Sequence, residues 1–105
     1  MTTQLTRLRQ ALRDHNIRTS QPTRDGVFPL LHRVNGHRIS IWIQQIRSNL
    51  YRVTVYVGGF EAASTTFMPK LGDIINDQLG VTACNELVSG IIARFGDIVS
   101  EDDFQ

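Results

Sequence analysis

Residues 27–46 read VFPLLHRVNGHRISIWIQQI, and the Asn35-Gly36 pair in the middle decides the fold. Both central residues of a type I′ turn need φ above zero, which Asn and Gly adopt with the least steric conflict. Apolar residues alternate with polar ones on either side of the pair, the period of a half-buried strand. The stretch therefore predicts a hairpin of two strands, Val27 to Val34 and His37 to Ile46. Across the turn Val34 should pair with His37, Arg33 with Arg38 and His32 with Ile39.

Working outward, Arg47-Ser48-Asn49 reads as a short loop and Leu50 to Val57 as a third strand ending at Gly58-Gly59. A three-residue loop pairs Ile46 with Leu50, Gln44 with Arg52, Ile43 with Val53, Trp42 with Thr54, Ile41 with Val55 and Ser40 with Tyr56. Phe60 to Met68 reads as a fourth strand. The two registers sort the side chains the same way, because successive residues of a strand face opposite sides. One face carries Phe28, Leu30, His32, Val34, Ile39, Ile41, Ile43, Tyr51, Val53, Val55 and Val57, and is expected to be the core. A slip of one residue would put these β-branched side chains in water, so the register is well specified. The other face carries Leu31, Arg33, Arg38, Ser40, Trp42, Gln44, Arg52, Thr54 and Tyr56.

Before the hairpin, Leu5, Leu8 and Leu12 mark one stripe of a helix over residues 2–15, with Thr2 or Thr3 as its cap. The polar stretch Asn16 to Gly26 is a loop, longer than most connections and for that reason mobile or functional. After the sheet two helices are expected. Pro69 opens the first, Leu71, Ile74, Ile75 and Leu79 form its stripe, and Gly80 stops it. Cys84, Leu87, Val88, Ile91, Ile92 and Phe95 form the stripe of the second, from about Thr82 to Phe95, and Gly96 ends it. The reading is an α+β fold of order α-β-β-β-(β)-α-α, an antiparallel meander sheet with helices packed on one face. Residues 1–96 form one compact domain and 97–105 an acidic C-terminal tail that frays.

The 105 residues suit one domain with one core. No run approaches the ~18 apolar residues of a membrane span, and Met1 to Arg7 contains no apolar signal-peptide region. A cytoplasmic location is expected. Cys84 is the only cysteine, so no disulfide can form within the chain, and its place on the apolar stripe makes it a small core hydrophobe. The net charge of +1 hides an asymmetry. Residues 1–52 hold nine arginines against Asp14 and Asp25, a net +7, while residues 53–105 hold Lys70 and Arg94 against eight acids, a net −6. Such asymmetry points the basic half towards an anionic partner, unless the fold interleaves the two halves.

Patterns that carry chemistry are scarce. His32 and His37 bracket the turn, but zinc would need further ligands and the only cysteine lies elsewhere. Ser64-Thr65-Thr66 lacks a strand-to-helix nucleophile elbow, and Gly58-Gly59 lacks the Gly-Lys-Ser/Thr of a phosphate loop. The C-terminal acids form no recognisable catalytic pair. No enzyme, metal, cofactor or small-molecule substrate is indicated. The first helix has too few apolar residues to bind a membrane.

The order of elements resembles that of the double-stranded-RNA-binding domain, which runs helix, three strands, helix. That family's last helix starts with basic residues, whereas Asp73, Asp77 and Glu86 stand here. The order also loosely resembles small secretion-chaperone-like proteins, which lack this basic N-terminal half. Both likenesses are of topology and carry no function with them.

The expected function is therefore binding through the polar sheet face. Arg33, Arg38, Ser40, Trp42, Gln44, Arg52, Thr54 and Tyr56 would contact the partner, and Arg7, Arg9 and Arg13 on the first helix would form a secondary basic patch. Arg33 opposite Arg38 is unfavourable unless an anion answers it. The first expectation is a small non-enzymatic protein-binding regulator, of inhibitor, immunity or adaptor type and of phage or plasmid character, able to self-associate as a dimer. The alternative is a DNA- or RNA-binding module using the same face, the arginines neutralising phosphates and the aromatic rings stacking on bases.

Overall fold

The computed structural model describes residues 3–100. Helix α1 spans Gln4–Asp14 and buries Leu8, Ala11 and Leu12, the predicted stripe. Thr3 caps it, its hydroxyl accepting from the Thr6 N–H at 3.2 Å. Strands β1 (Val27–Val34), β2 (His37–Arg47), β3 (Leu50–Val57) and β4 (Phe60–Phe67) follow as an antiparallel sheet in the order β1-β2-β3-β4. Asn35 and Gly36, at φ 51° and 80°, make the expected hairpin turn, and Gly58 and Gly59 make the next at 62° and 89°.

Between β2 and β3 the register is the predicted one from Ser40 opposite Tyr56 to Gln44 opposite Arg52. Two local corrections apply. Leu50 pairs with Arg47, not Ile46, because Ser48-Asn49 turns in two residues and Ile46 bulges out of the ladder. His32 does not pair with Ile39. Arg33 faces Arg38 and Pro29 faces Ser40, so residues 30–32 of β1 stand against Ile39 alone. The excess is two residues, an even number, and the faces are preserved on both sides of it. Phe28, Leu30, Ile39, Ile41, Ile43, Tyr51, Val53 and Val55 accordingly fill the core under the two helices.

The segment expected as a helix from Pro69 to Gly80 is not one. A 3₁₀ turn, Leu71–Asp73, leads into a small hairpin of β5 (Ile74–Ile75) and β6 (Gln78–Leu79). Asn76 and Asp77 turn it at φ 52° and 63°, the left-handed region these two residue types tolerate. Of the supposed stripe Leu79 is fully buried, whereas Leu71 is 80% and Ile75 59% exposed. The core face is already covered by α1 and α2, so a third helix has no apolar surface left to cover.

Helix α2 runs Val81–Val99, with non-helical angles at Phe95 (φ −129°, ψ 22°). The regular helix therefore breaks at Phe95, where the sequence ends it, and a short helical segment continues beyond the kink to place Val99, completely buried, in the core. Residues 97–99 thus belong to the packed domain, and the acidic stretch 101–105 lies outside the described residues. Ending the chain after Gly96 is expected to cost about 2 kcal/mol or more, since it strips Ile98 and Val99 from the core. Urea denaturation checks this, and an unchanged midpoint would refute it.

Burial also sets the alkaline limit of stability. Loss of hydration pushes the Cys84 thiol up from its ordinary 9.0 to about 11, Arg7 opposing it. Burial raises the Tyr51 hydroxyl too, with the charges of Asp77 and Cys84 adding to it. In the folded chain both keep their protons at a pH where the unfolded chain gives them up, so stability falls as pH rises from about 9. The melting temperature is expected to decline between pH 9 and 11, less steeply in Cys84→Ala. The thiol should resist alkylation until the protein unfolds.

The loop Asn16 to Gly26 is bound to the sheet along its length. Ile17 is buried in the core, and Thr19 bridges to Leu30. The Ser20 N–H donates to Pro29 O at 2.9 Å, Leu31 N–H to Arg18 O at 3.0 Å, and Ile43 N–H to Gly26 O at 3.0 Å. The loop therefore shields the outer edge of β1, where Pro29 offers no donor of its own. No helix among the described residues is long and apolar enough to cross a membrane.

Candidate functional site

Both helices lie against the apolar side, which leaves the opposite side of the four strands without a helical cover. The register sets its rows. Val27, Trp42, Thr54 and Ser64 align across the sheet, next to a row of Pro29, Ser40, Tyr56 and Glu61. Gln44, Arg52 and Thr66 align on the far side of Trp42, and Arg33 faces Arg38 beyond Ser40. All eight side chains expected on this surface are on it. Val27 and Pro29 were legible from the same alternation that placed Arg33. Glu61, Ser64 and Thr66 depended on the register of β4, which the sequence does not state.

The face is firm in its centre and charged around it. Thr54 is 3% exposed, enclosed by its larger neighbours. Trp42 is half-buried, and its indole N–H donates to Asp25 O at 3.1 Å, so the end of the loop holds the ring in place. Tyr56 is half-buried, while Arg33, Arg38 and Arg52 are exposed. Arg33 turns back on the hairpin, donating to Gly36 O at 3.1 Å. The guanidinium groups of Arg38 and Arg52 have no hydrogen bond or ion pair among the described residues. Among the described residues no carboxylate answers the Arg33–Arg38 pair, and like charges facing each other favour an anion between or above them. The irregularity in β1 opens a hollow of about 330 Å3 beside the pair, with Ser20, Pro29 and Ser40 on its walls.

The three basic residues of α1 separate. Arg7 donates to Leu79 O at 2.9 Å and to Gln78 Oε1 at 3.0 Å, tying α1 to β6. Arg9 turns the other way, to Gln21 Oε1 at 3.0 Å and Thr19 O at 3.1 Å. Residues two apart on a helix point to different sides, whereas Arg9 and Arg13, four apart, share one. Arg18 joins them from the loop, which the sequence did not indicate because the loop's path was not legible. Among the described residues no group of three or more His, Cys, Asp or Glu is placed to hold a metal ion.

The class that fold and surface define is a small α+β domain with a four-stranded antiparallel sheet bearing an arginine-rich, aromatic outer face. No protein-family model matches the chain, and neither a curated protein nor a solved structure matches it.

Proposed function

We propose that this chain is a small non-catalytic regulator that acts in the cytoplasm by seating an acidic surface of a protein partner on the outer face of its sheet. The observation that carries this reading is the pair of guanidinium groups of Arg38 and Arg52, without partners among the described residues, around the half-buried rings of Trp42 and Tyr56. Trp, Tyr and Arg are the residue types that dominate binding energy at protein interfaces. They stand on neighbouring central strands, so little ordering is needed on binding. Burial pushes the Cys84 thiol up to about 11, away from the thiolate form a nucleophile needs.

A second reading is a nucleic-acid-binding module, and one observation favours it. Leu31 lines both the hollow beside Arg33 and Arg38 and the cavity of Arg9, Arg13 and Arg18, so the arginines continue around the edge of β1. The test is capture on immobilised wild type and Arg38→Glu, with and without nuclease treatment of the lysate. The first reading expects a retained protein that survives nuclease, elutes with salt and is lost on Arg38→Glu. Retention only before nuclease would replace it with the second, and a monomer by light scattering that retains neither class would sink both.

A further inference from the structure

The end of α1 and the loop after it border an open cavity of about 440 Å3 lined by Arg9, Arg13, Asn16, Arg18, Thr19 and Leu31. Its construction follows from how the helix stops. Asn16 takes a left-handed φ of 65°, with its N–H on Arg13 O at 2.9 Å and the Ile17 N–H on Leu12 O at 2.8 Å. This paired closure ends the helix and reverses the chain. Arg18 and Thr19 are thereby carried back past Arg9 and Arg13, and their pairing with β1 holds them there.

Two buried polar atoms at this cavity lack a partner in the protein. Thr19 is only 6% exposed, and its Oγ1 makes no hydrogen bond. Arg9 uses two of its nitrogens on the loop, but Nε is buried and unpaired. Buried polar groups are nearly always satisfied, and these two sit just behind the wall of the cavity, on residues that line it. Three arginines line the space, and among the described residues no Asp or Glu does. The helix end contributes only about half a negative charge against them, and two of its carbonyls are already occupied.

We propose that this cavity binds a small phosphomonoester. A phosphate monoester offers up to two negative charges and three terminal oxygens. Guanidinium groups pair with such oxygens through parallel N–H donors. The guanidinium groups of Arg13 and Arg18, exposed and without a side-chain hydrogen bond among the described residues, supply more donors than a carboxylate can use. The volume falls in the range of about 300–1,000 Å3 usual for small-molecule sites, and Leu31, 62% exposed, gives the organic part an apolar wall. Of the outer sheet face the site uses Leu31 alone, and none of the arginines or aromatic rings of the proposed partner surface.

The test is titration with phenyl phosphate, benzoate and sodium chloride at matched ionic strength, read by arginine Nε–Hε resonances and by melting temperature. Phenyl phosphate is expected to bind saturably and at least tenfold more tightly than benzoate. Arg13→Gln and Arg18→Gln, both exposed positions whose folding circular dichroism can verify, should each weaken it at least tenfold. Thr19→Val should weaken it several-fold, and Trp42→Ala should leave it unchanged, which separates this site from the sheet face. Equal effects of chloride or benzoate, or an unchanged Kd in the arginine variants, would overturn the proposal. An oligonucleotide that binds here when phenyl phosphate does not would also overturn it.

Discussion

Gly26→Ala is expected to lower the unfolding free energy by about 3 kcal/mol and the melting temperature by more than about 10 °C. Gly26 has a φ of +91°, and a Cβ placed on it would lie 2.5 Å from Ile43 O. That atom belongs to the backbone of a central strand and cannot swing aside. Gly26 O also accepts the Ile43 N–H, so the added methyl group would separate the loop from β2 where they are bonded. The next residue along is Asp25, whose carbonyl holds the Trp42 indole. The variant should therefore also free that ring and weaken partner binding. Gly36→Ala is the control. Its φ is +80°, but its Cβ would meet nothing, and the expected loss is only about 1–2 kcal/mol of backbone strain. Equal losses from the two variants would refute the close approach.

Trp42→Ala is expected to weaken partner binding about 30-fold or more, the roughly 2 kcal/mol that marks an interface hot spot. The ring lies in the row of Val27, Thr54 and Ser64, with Arg52 one row away. Its removal takes away the largest apolar contact on the face together with the hydrogen bond to Asp25. Stability should fall far less, about 1 kcal/mol for the lost hydrogen bond. Trp42→Phe separates the two contributions, since it keeps a ring and loses the donor. Calorimetry or surface plasmon resonance with the captured partner reads the affinity, and denaturation reads the stability. A variant that loses stability yet keeps full affinity would make Trp42 a latch for the loop and remove it from the interface.

Much of the sheet was legible beforehand because strand information is local. Asn35-Gly36 admits one tight turn, and the alternation of Ile39, Ile41 and Ile43 against Ser40, Trp42 and Gln44 assigns each side chain to a face. The excess at residues 30–32 was not legible, since alternation counts parity and an even irregularity leaves parity unchanged. The stretch from Leu71 to Leu79 misled for a different reason. Its apolar spacing fits a helix, but Asn76-Asp77 suits a turn equally well, and the surface already covered by α1 and α2 decided between them. The end read at Phe95-Gly96 is a kink, and burial of Val99 three residues further on adds a second helical segment beyond it. The candidate face was read almost whole, whereas the cavity at the end of α1 was not read at all.

By itself, then, the sequence determined which side chains share each side of the sheet, where the chain turns at Asn35-Gly36 and Gly58-Gly59, and the apolar stripes of α1 and α2, because residues a few positions apart settle those matters. The tertiary structure alone decided that Arg9, Arg13 and Arg18 meet while Arg7 is tied to β6, and that the loop reaches Trp42. Those outcomes depend on where the chain travels after Asn16 and after Phe67, and charge and hydrogen bonding act between groups that are near in space whatever their separation along the chain.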